Sequence, residues 1–243
     1  MTGLSFSGAE AVADDPSLML AAAARALADH LRLQQALGLT ELPLSRTYLP
    51  RPADALRLLD AEASGCTRCR LHQGRTTVVF GSGNPQADLV VIGEGPGAEE
   101  DLQGKPFVGR AGQLLTKMLE SVGIDREKDA YICNVVKCRP PQNRNPEPDE
   151  IASCEPYLLG QLRAIGPKVV CALGSFAAQN LLRTKEPISK LRGRVHLYGA
   201  IPLIPTFHPA FLLRNPGPAY RRQAYEDMKL LRREYDRARN GAS

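Results

Sequence analysis

Tryptophan is absent from this 243-residue sequence, and aromatic residues of all kinds make up only 5% of it. An aromatic side chain inside a polar loop is therefore a candidate for ligand contact. No apolar run approaches the roughly 20 residues that a membrane-spanning helix needs, which argues against a helical membrane protein. The net charge of +5 is only mildly basic, so it permits a polyanionic partner without requiring one.

The N-terminus lacks the pattern of an export signal. Asp14 and Asp15 precede the apolar residues 18–20, at a place where a signal peptide carries basic residues. A chain with six cysteines and no export signal is expected in a reducing compartment, where metal or cluster ligation is commoner than disulfide formation. We therefore predict a cytoplasmic protein that does not associate with membranes.

The first 60 residues have the composition of an extension rather than of a folded domain. Residues 1–15 are predicted to be disordered, and residues 17–37 have the pattern of an amphipathic helix. Prolines within residues 38–52 then predict a linker. The helix could dock on the following domain or recruit a partner protein. We place the domain itself at residues 61–243.

Strand and helix patterns alternate along this domain. Apolar runs ending at Ile92, Val136 and Leu173 are typical of strands buried on both faces, and each precedes a helical pattern. The alternation predicts an α/β fold with a parallel sheet and helices on both faces. Ligands of such folds bind beyond the carboxyl ends of the strands. Four segments are expected at that edge: residues 93–101, 134–144, 174–175 and 206–215.

Four of the six cysteines have distinctive spacing. Cys66 and Cys69 form one C-x2-C pair, and Cys138 and Cys154 form a second, wider pair. Four thiolates from two remote segments can close one metal or iron–sulfur site. Four unrelated cysteines are the alternative, and spacing alone does not distinguish zinc from a cluster. The other two cysteines lie within apolar strand patterns and are expected to be inert core residues.

Two segments after the first strand could form a ligand pocket. The turn at residues 93–97 is rich in glycine, but its spacing fits neither a dinucleotide-binding nor a phosphate-binding loop. A tight turn followed by solvated acids is the simpler interpretation. Phe107 stands between two glycines in a polar loop, where its ring could stack on a planar ligand or anchor the loop to the core.

Three polar features lie at or after later strands. Asn134 interrupts an apolar strand, where its amide could read a base edge or bond the nearby backbone. His208 follows a strand and could donate a hydrogen bond to a developing anion or cap a helix. Leu212, Leu213 and Arg214 come next, a combination that suits a wedge inserted into DNA but also an ordinary buried leucine pair.

Taken in order, these motifs resemble those of the family 4 uracil-DNA glycosylases, the iron–sulfur branch of their superfamily. The resemblance spans about residues 61–234. Five motifs carry it: Gly65-Cys66-x-x-Cys69; Gly93-Glu94-Gly95-Pro96-Gly97-x-x-Glu100-Asp101; Gly104-Lys105-Pro106-Phe107-Val108-Gly109-Arg110-Ala111-Gly112; Asn134-Val135-Val136-Lys137-Cys138-Arg139-Pro140-Pro141; and His208-Pro209-Ala210-x-Leu212-Leu213.

The resemblance implies a fold and a cofactor. The fold is a three-layer α/β/α sandwich with a mainly parallel four-stranded central sheet, preceded in this chain by the N-terminal helical extension. The cofactor is a structural [4Fe–4S] cluster on Cys66, Cys69, Cys138 and Cys154. Zinc is the alternative that the spacing leaves open.

The resemblance also implies roles for residues of a base pocket. Phe107 would stack on uracil, Asn134 would read N3 and O4, and His208 would bond O2. Glu100 would lie near C5 and help to exclude thymine.

The resemblance implies further residues that place the attacking water and contact the DNA. Glu94 and Gly95 would line the pocket and help to place the attacking water. The better-known uracil glycosylases carry an Asp where this sequence has Gly95, so Glu94 is the candidate for orienting the water. The expected DNA contacts are Ser175, Leu212, Leu213 and Arg214.

The implied activity is that of a monofunctional DNA glycosylase. It would flip uracil out of DNA, hydrolyse its N-glycosidic bond and leave an abasic site for base excision repair. The expected partner is uracil-containing DNA, single- or double-stranded, bound by a monomer. The N-terminal helix could recruit a repair or replication protein. The alternatives are a non-catalytic DNA-binding or polymerase-associated iron–sulfur module, and an electron carrier.

Overall fold

A computed structural model of the chain describes residues 51–240. The expectations of a disordered start and of a helix over residues 17–37 lie outside the described residues, as does most of the linker. The described residues belong to one compact unit, Pro50–Ser243.

A six-stranded sheet forms the centre of the fold, in the order β1-β3-β2-β4-β6-β5. Strands β2, β3, β4 and β6 are mutually parallel, while the short β1 and β5 pair antiparallel at the two edges. The strands are β1 Ser82–Gly83, β2 Leu89–Gly93, β3 Ala130–Asn134, β4 Val169–Leu173, β5 His196–Tyr198 and β6 Ile201–Thr206.

Eight α-helices are described among residues 51–240. They are α1 Pro52–Ser64, α2 Ala98–Gln103, α3 Arg110–Glu120, α4 Pro148–Ile165, α5 Gly174–Leu182, α6 Ile188–Leu191, α7 Pro209–Arg214 and α8 Pro218–Asn240. Helix α4 shows why the boundaries fall where they do. Pro148 occupies its first turn, Glu147 and Glu150 form a capping box, and Gly166 ends it in a left-handed conformation.

The two faces of the sheet are covered by two separate apolar cores. Alternate residues of β2 point to opposite faces, so Val90 and Ile92 join one core while Leu89 and Val91 join the other. The first core includes buried residues of α1, α4 and α5. The second includes buried residues of α3 and α8. The fold is thus a three-layer α/β/α sandwich.

The predicted fold class is confirmed, with one difference in strand count. The apolar runs predicted three of the four parallel strands, β2, β3 and β4, and the resemblance predicted the count of four; two antiparallel edge strands extend them. The domain boundary placed after residue 60 falls inside α1, since that helix runs from Pro52 to Ser64. No helix among residues 51–240 has both the length and the apolar character that crossing a bilayer requires.

Candidate active site and cysteine site

A cavity of about 490 Å³ opens at the carboxyl ends of the parallel strands. This is the edge at which the sequence predicted a ligand, and the volume suits a small molecule. Among the lining residues are those named for the base pocket and two of the expected DNA contacts: Glu94, Gly95, Glu100, Phe107, Asn134, Ser175, His208 and Arg214.

Phe107 reaches this cavity through an unusual backbone conformation. Its φ of 54° lies in the left-handed region, which a bulky residue rarely adopts. Gly112 permits the turn, because a Cβ at that position would overlap the carbonyl group of Phe107. The ring lies 5.6 Å from the His208 ring, centroid to centroid, at an angle of 35°. The cavity therefore has one aromatic wall that is fixed by the chain around it.

Asn134 ends β3 with its side chain buried, at 1% exposure. Its Oδ1 has no hydrogen-bond partner within the described part of the chain. A buried acceptor without a donor costs free energy, so this atom is suited to a ligand that carries an N–H. Gly93 keeps the space open, since a Cβ there would collide with both Asn134 Oδ1 and the Phe107 ring.

His208 is held in one orientation and one tautomer. It is the N-cap of α7, and its Nδ1 accepts a hydrogen bond of 3.1 Å from the backbone N–H of Ala210. Burial, then the charge of Arg214, lowers the pKa of His208 to about 4. The ring is therefore neutral near pH 7, and because Nδ1 accepts, the proton resides on Nε2. Gly174 allows the close approach, because a Cβ there would lie 2.9 Å from the Cβ of His208.

The two glutamates of the cavity differ in their contacts. Burial raises the pKa of Glu94, and the nearby charge of Arg214 opposes that rise. Glu100 instead accepts two hydrogen bonds of 2.9 Å through Oε1, from the backbone N–H groups of Val108 and Gly109. Glu100 thus holds the loop that carries Phe107, a contact that the motif alone did not indicate.

The segment expected to penetrate DNA is a short helix, α7. Leu212 on this helix is only 2% exposed, because it packs in the second apolar core. A contact between Leu212 and DNA would require this side chain to leave the core, so that contact stays a prediction. Leu213 is half-buried and Arg214 is exposed, so these two remain available at the surface. Ser175 is half-buried at the cavity wall.

The four spaced cysteines lie around one cavity. Cys66, Cys69, Cys138 and Cys154 line one small cavity between the start of the domain and α4. Two N–H groups donate to their sulfur atoms at 3.3 Å, from Arg75 Nη1 to Cys138 and from the Lys137 backbone to Cys154. All six cysteines of the chain are free thiols, and the remaining two, Cys133 and Cys171, are buried in strands.

Sequence reasoning missed two buried charged groups that support these sites. Lys137 is 1% exposed, and its Nζ donates to the carbonyl of Asn134 and to Gln161 Oε1. Glu150 is 0% exposed and accepts from Arg70 and Arg144. A lysine inside the apolar stretch before Cys138 was a usable signal. For Glu150 the local signal was the capping box with Glu147 at the start of α4, whereas its ion pair with Arg70 joins distant segments.

Comparison with known proteins identifies the family of this chain. The family profile of the uracil DNA glycosylase superfamily matches residues 80–229. A type-4 uracil-DNA glycosylase of Thermotoga maritima is 48% identical over 178 residues, which cover 72% of this chain and 92% of that protein. Its counterpart from Archaeoglobus fulgidus is 47% identical over 163 residues, or 64% of this chain and 81% of that protein.

A more distant relative is larger than this chain. A DNA polymerase of Bacillus phage SP01 is 30% identical over 151 residues, which cover 62% of this chain but only 16% of the polymerase. The profile match and the type-4 relatives cover most of the described domain. The chain therefore belongs to the uracil-DNA glycosylase superfamily and is a member of its type-4 group of DNA glycosylases.

Proposed function

We propose that this chain excises uracil from DNA, as a monofunctional glycosylase, with the residues of the 490 Å³ cavity in the roles given below. One observation carries the proposal. The unpartnered Asn134 Oδ1, the Phe107 ring and a neutral His208 converge on one cavity. A pyrimidine that carries an N–H beside two carbonyl groups complements such a set.

Recognition would require the uracil to leave the base stack, which costs a few kcal/mol. Phe107 then stacks on the flipped ring, and base–aromatic stacking is worth about 1–3 kcal/mol. Asn134 Oδ1 accepts from N3–H, and its amide N–H donates to O4. Cytosine presents the opposite donor and acceptor pattern at these positions, so the same contacts would reject it.

Bond breaking leaves negative charge on the departing base. As the bond between C1′ of the sugar and N1 of uracil breaks, the electron pair moves to uracil, and charge builds on O2. His208 Nε2 donates a hydrogen bond there, and this bond strengthens as the charge develops. One such donor typically contributes about 2.7–4 kcal/mol. A neutral imidazole, which the low pKa of His208 ensures near pH 7, retains its proton throughout.

The sugar cation is then captured by water. Glu94 is the candidate for orienting that water and accepting its proton as the new C1′–O bond forms. Burial raises the pKa of this carboxyl, which makes it a better base, and Arg214 favours its ionised form. The lining of this cavity contains no lysine among the described residues, which is consistent with hydrolysis without an amine nucleophile and without strand cleavage.

Thymine differs from uracil by a methyl group at C5. We assign Glu100 to that end of the base, where it would leave no room for the methyl group. The two backbone hydrogen bonds that Glu100 accepts fix its carboxylate in place, so it could not move aside easily. Rigidity of this kind makes a steric barrier effective.

The four cysteines fit an iron–sulfur cluster better than zinc. Within residues 51–240, no three His, Cys, Asp or Glu side chains are close enough to share a single metal ion, whereas zinc holds all of its ligands at about 2.0–2.3 Å. A [4Fe–4S] cluster binds each cysteine through a different iron. The lining of their cavity contains no carboxylate, and N–H groups face two of the sulfurs. We propose that a bound cluster joins residues 66–69 to α4 and serves structure rather than chemistry.

We propose that the end of α7 contacts DNA. Arg214 lies there beside the base cavity, and Leu213 lines a neighbouring cavity between α3, α7 and α8. Both could occupy the space that a flipped base leaves. Ser175 could contact the adjacent phosphate. We also propose a monomeric state, a cytoplasmic location and a repair or replication partner for the N-terminal segment.

An end-labelled oligonucleotide with one uracil tests the reaction. Purified protein should yield a site that alkali cleaves at uracil, and none when thymine occupies that position. Breaks without alkali would contradict the monofunctional mechanism. If protein that contains its full complement of iron yields no product, the result would contradict the enzymatic proposal and favour the DNA-binding alternative.

A further inference from the structure

Arg126 directs its guanidinium group at the backbone that carries Phe107. Its Nη1 donates to the carbonyl oxygen of Phe107 at 2.7 Å, and its Nη2 donates to that of Pro106 at 2.7 Å. Nη1 also lies 3.2 Å from Thr116 Oγ1. The side chain is only 13% exposed. Two consecutive carbonyl groups are therefore gripped by one planar, permanently charged fork.

The Phe107 peptide that Arg126 binds has a strained backbone conformation. Phe107 adopts a φ of 54°, and a large aromatic residue persists in that conformation only where its surroundings impose it. Gly112 leaves space for the Phe107 carbonyl, but space alone does not hold the group there. Arg126 supplies the attraction, because a charged donor to a mostly buried carbonyl is a strong hydrogen bond.

The arginine is itself presented by a preformed loop. Asp125 Oδ1 accepts from the backbone N–H groups of Glu127 and Lys128, and the Asp125 N–H donates to Asp129 Oδ2. The ion pair of Arg126 with Glu127 is long, at 3.4 Å, and the carboxylate is 71% exposed, so it contributes little. The two shortest hydrogen bonds of the guanidinium, both 2.7 Å, thus go to the Phe107 segment, and longer ones of 3.2 and 3.5 Å go to Thr116 Oγ1 and the Gly112 carbonyl.

We infer that Arg126 is a positioning residue for base stacking: it fixes the Phe107 peptide so that the ring forms one wall of the base cavity. This inference rests on the proposed excision of uracil. Arg126 lines a second cavity, of about 720 Å³, that also includes Phe107. It is absent from the lining of the base cavity itself, so it acts through Phe107 rather than by touching the base.

Free uracil, used as a competitive inhibitor, tests the inference directly. In Arg126→Gln the inhibition constant of uracil should rise roughly tenfold, the equivalent of about 1.4 kcal/mol, and the KM for a uracil oligonucleotide should rise with it. Affinity for an undamaged oligonucleotide should stay unchanged, because that binding does not use the stacked base. A general loss of structure would weaken both.

Arg232 provides the matched control. It donates to the carbonyl oxygens of Val122 and Gly123, which precede the same loop, but it does not contact the Phe107 segment. Arg232→Gln should leave the uracil inhibition constant unchanged. If it raises that constant as much as Arg126→Gln does, the effect is general and the inference is wrong.

A second variant guards against misfolding. Arg126→Lys keeps the charge but cannot grip two carbonyls with a planar fork, so it should fold and still bind uracil more weakly. Wild-type affinity for uracil in Arg126→Lys or in Arg126→Gln would overturn the inference. Wild-type protein that excises no uracil would instead overturn the proposed function, and the two failures are thereby distinguished.

Discussion

The Nζ of Lys137 lies 2.7 Å from the carbonyl oxygen of Asn134, and both residues are almost completely buried. The same ammonium group donates to Gln161 Oε1, and the Gln161 amide donates to the carbonyl of Phe80. One residue later in the chain, Cys138 lines the cysteine cavity. Lys137 therefore joins the backbone of Asn134, which we propose reads the base, to α4 at the point where the two sites are closest in sequence.

Replacement of Lys137 by Met should damage both stability and uracil recognition. It leaves two buried acceptors, Asn134 O and Gln161 Oε1, without their donor, at about 1–3 kcal/mol each. Thermal or denaturant unfolding measures the first effect, and kcat/KM on a uracil oligonucleotide measures the second. Lys128→Met is the control, since that lysine is 83% exposed, and it should change neither. Equal behaviour of the two variants would refute the role of Lys137.

Replacement of His208 by Ala should lower kcat by roughly 10²–10³-fold, because the proposed hydrogen bond to O2 would be strongest in the transition state. Binding to undamaged DNA should not change. The wild-type enzyme should show no loss from His208 titration between pH 8 and about pH 5, because the pKa of His208 is lowered to about 4. A pH–rate profile measures this, and an acid limb near pH 6.5 that vanishes in His208→Ala would contradict a neutral, buried imidazole.

Replacement of Glu94 by Gln should lower kcat and remove an acid limb from its pH profile. Burial raises the pKa of Glu94 above 4.5, so in the wild-type enzyme activity should rise with pH through that raised value as the base form appears. Glu99 is an exposed acid in the same segment that does not line the cavity, so Glu99→Gln should keep the wild-type profile. Full activity in Glu94→Gln would show that a group other than Glu94 orients the water.

Replacement of Cys138 by Ala should remove bound iron. Purified wild-type protein should contain iron and acid-labile sulfide in equal amounts, and the variant neither in stoichiometric quantity. Cys133→Ala is the control, because Cys133 is buried in β3 and does not line the cysteine cavity. It should lose stability through a core void but keep its iron. Zinc in place of iron in the wild-type protein would favour the alternative metal.

The parts of the fold that could be predicted are those with a local signature. Strands β2 and β4 are continuous apolar runs, β3 is one up to Asn134, and such runs require burial on both faces. Since Asn134 ends one parallel strand and His208 follows another, both were expected at the carboxyl edge of the sheet. Strand β1 has only two residues, Ser82 and Gly83, and carries no periodicity from which it could be inferred.

The parts that could not be predicted depend on contacts between distant segments. Arg126 donates hydrogen bonds to the carbonyl groups of residues 106 and 107. Because every residue has a backbone carbonyl, the sequence does not show which of them accepts such a bond. Leu212 shows a different limit. A leucine beside an arginine suits a DNA wedge or a core position equally well, and only the packing of α7 against α3 and α8 decides for the core.

Replacement of Glu150 by Gln should destabilise the protein in a pH-dependent manner. Glu150 accepts from Arg144, Arg70 and the backbone N–H of Glu147, so it ties the residue after Cys69 to the helix that carries Cys154. Hydrogen bonds to charged groups are worth about 1.5–3 kcal/mol each, and the free energy of unfolding should fall by an amount in this range.

The pH dependence has a definite sign. The hydrogen bonds from Arg144 lower the pKa of Glu150 to about 2, from an ordinary value of 4.5. The stability that the carboxylate contributes is therefore fully present above about pH 4.5 and is lost as the pH falls toward 2. Denaturant unfolding at several pH values should show the free energies of unfolding of the wild-type and Glu150→Gln proteins converging over that window.

Asp149→Asn is the matched control, since Asp149 is 68% exposed and lies 3.3 Å from Arg70. Its free energy of unfolding should differ from that of the wild-type protein by less than about 1 kcal/mol at every pH. If the difference in free energy of unfolding between wild type and Glu150→Gln persists to pH 2, Glu150 contributes through its shape and not through its charge.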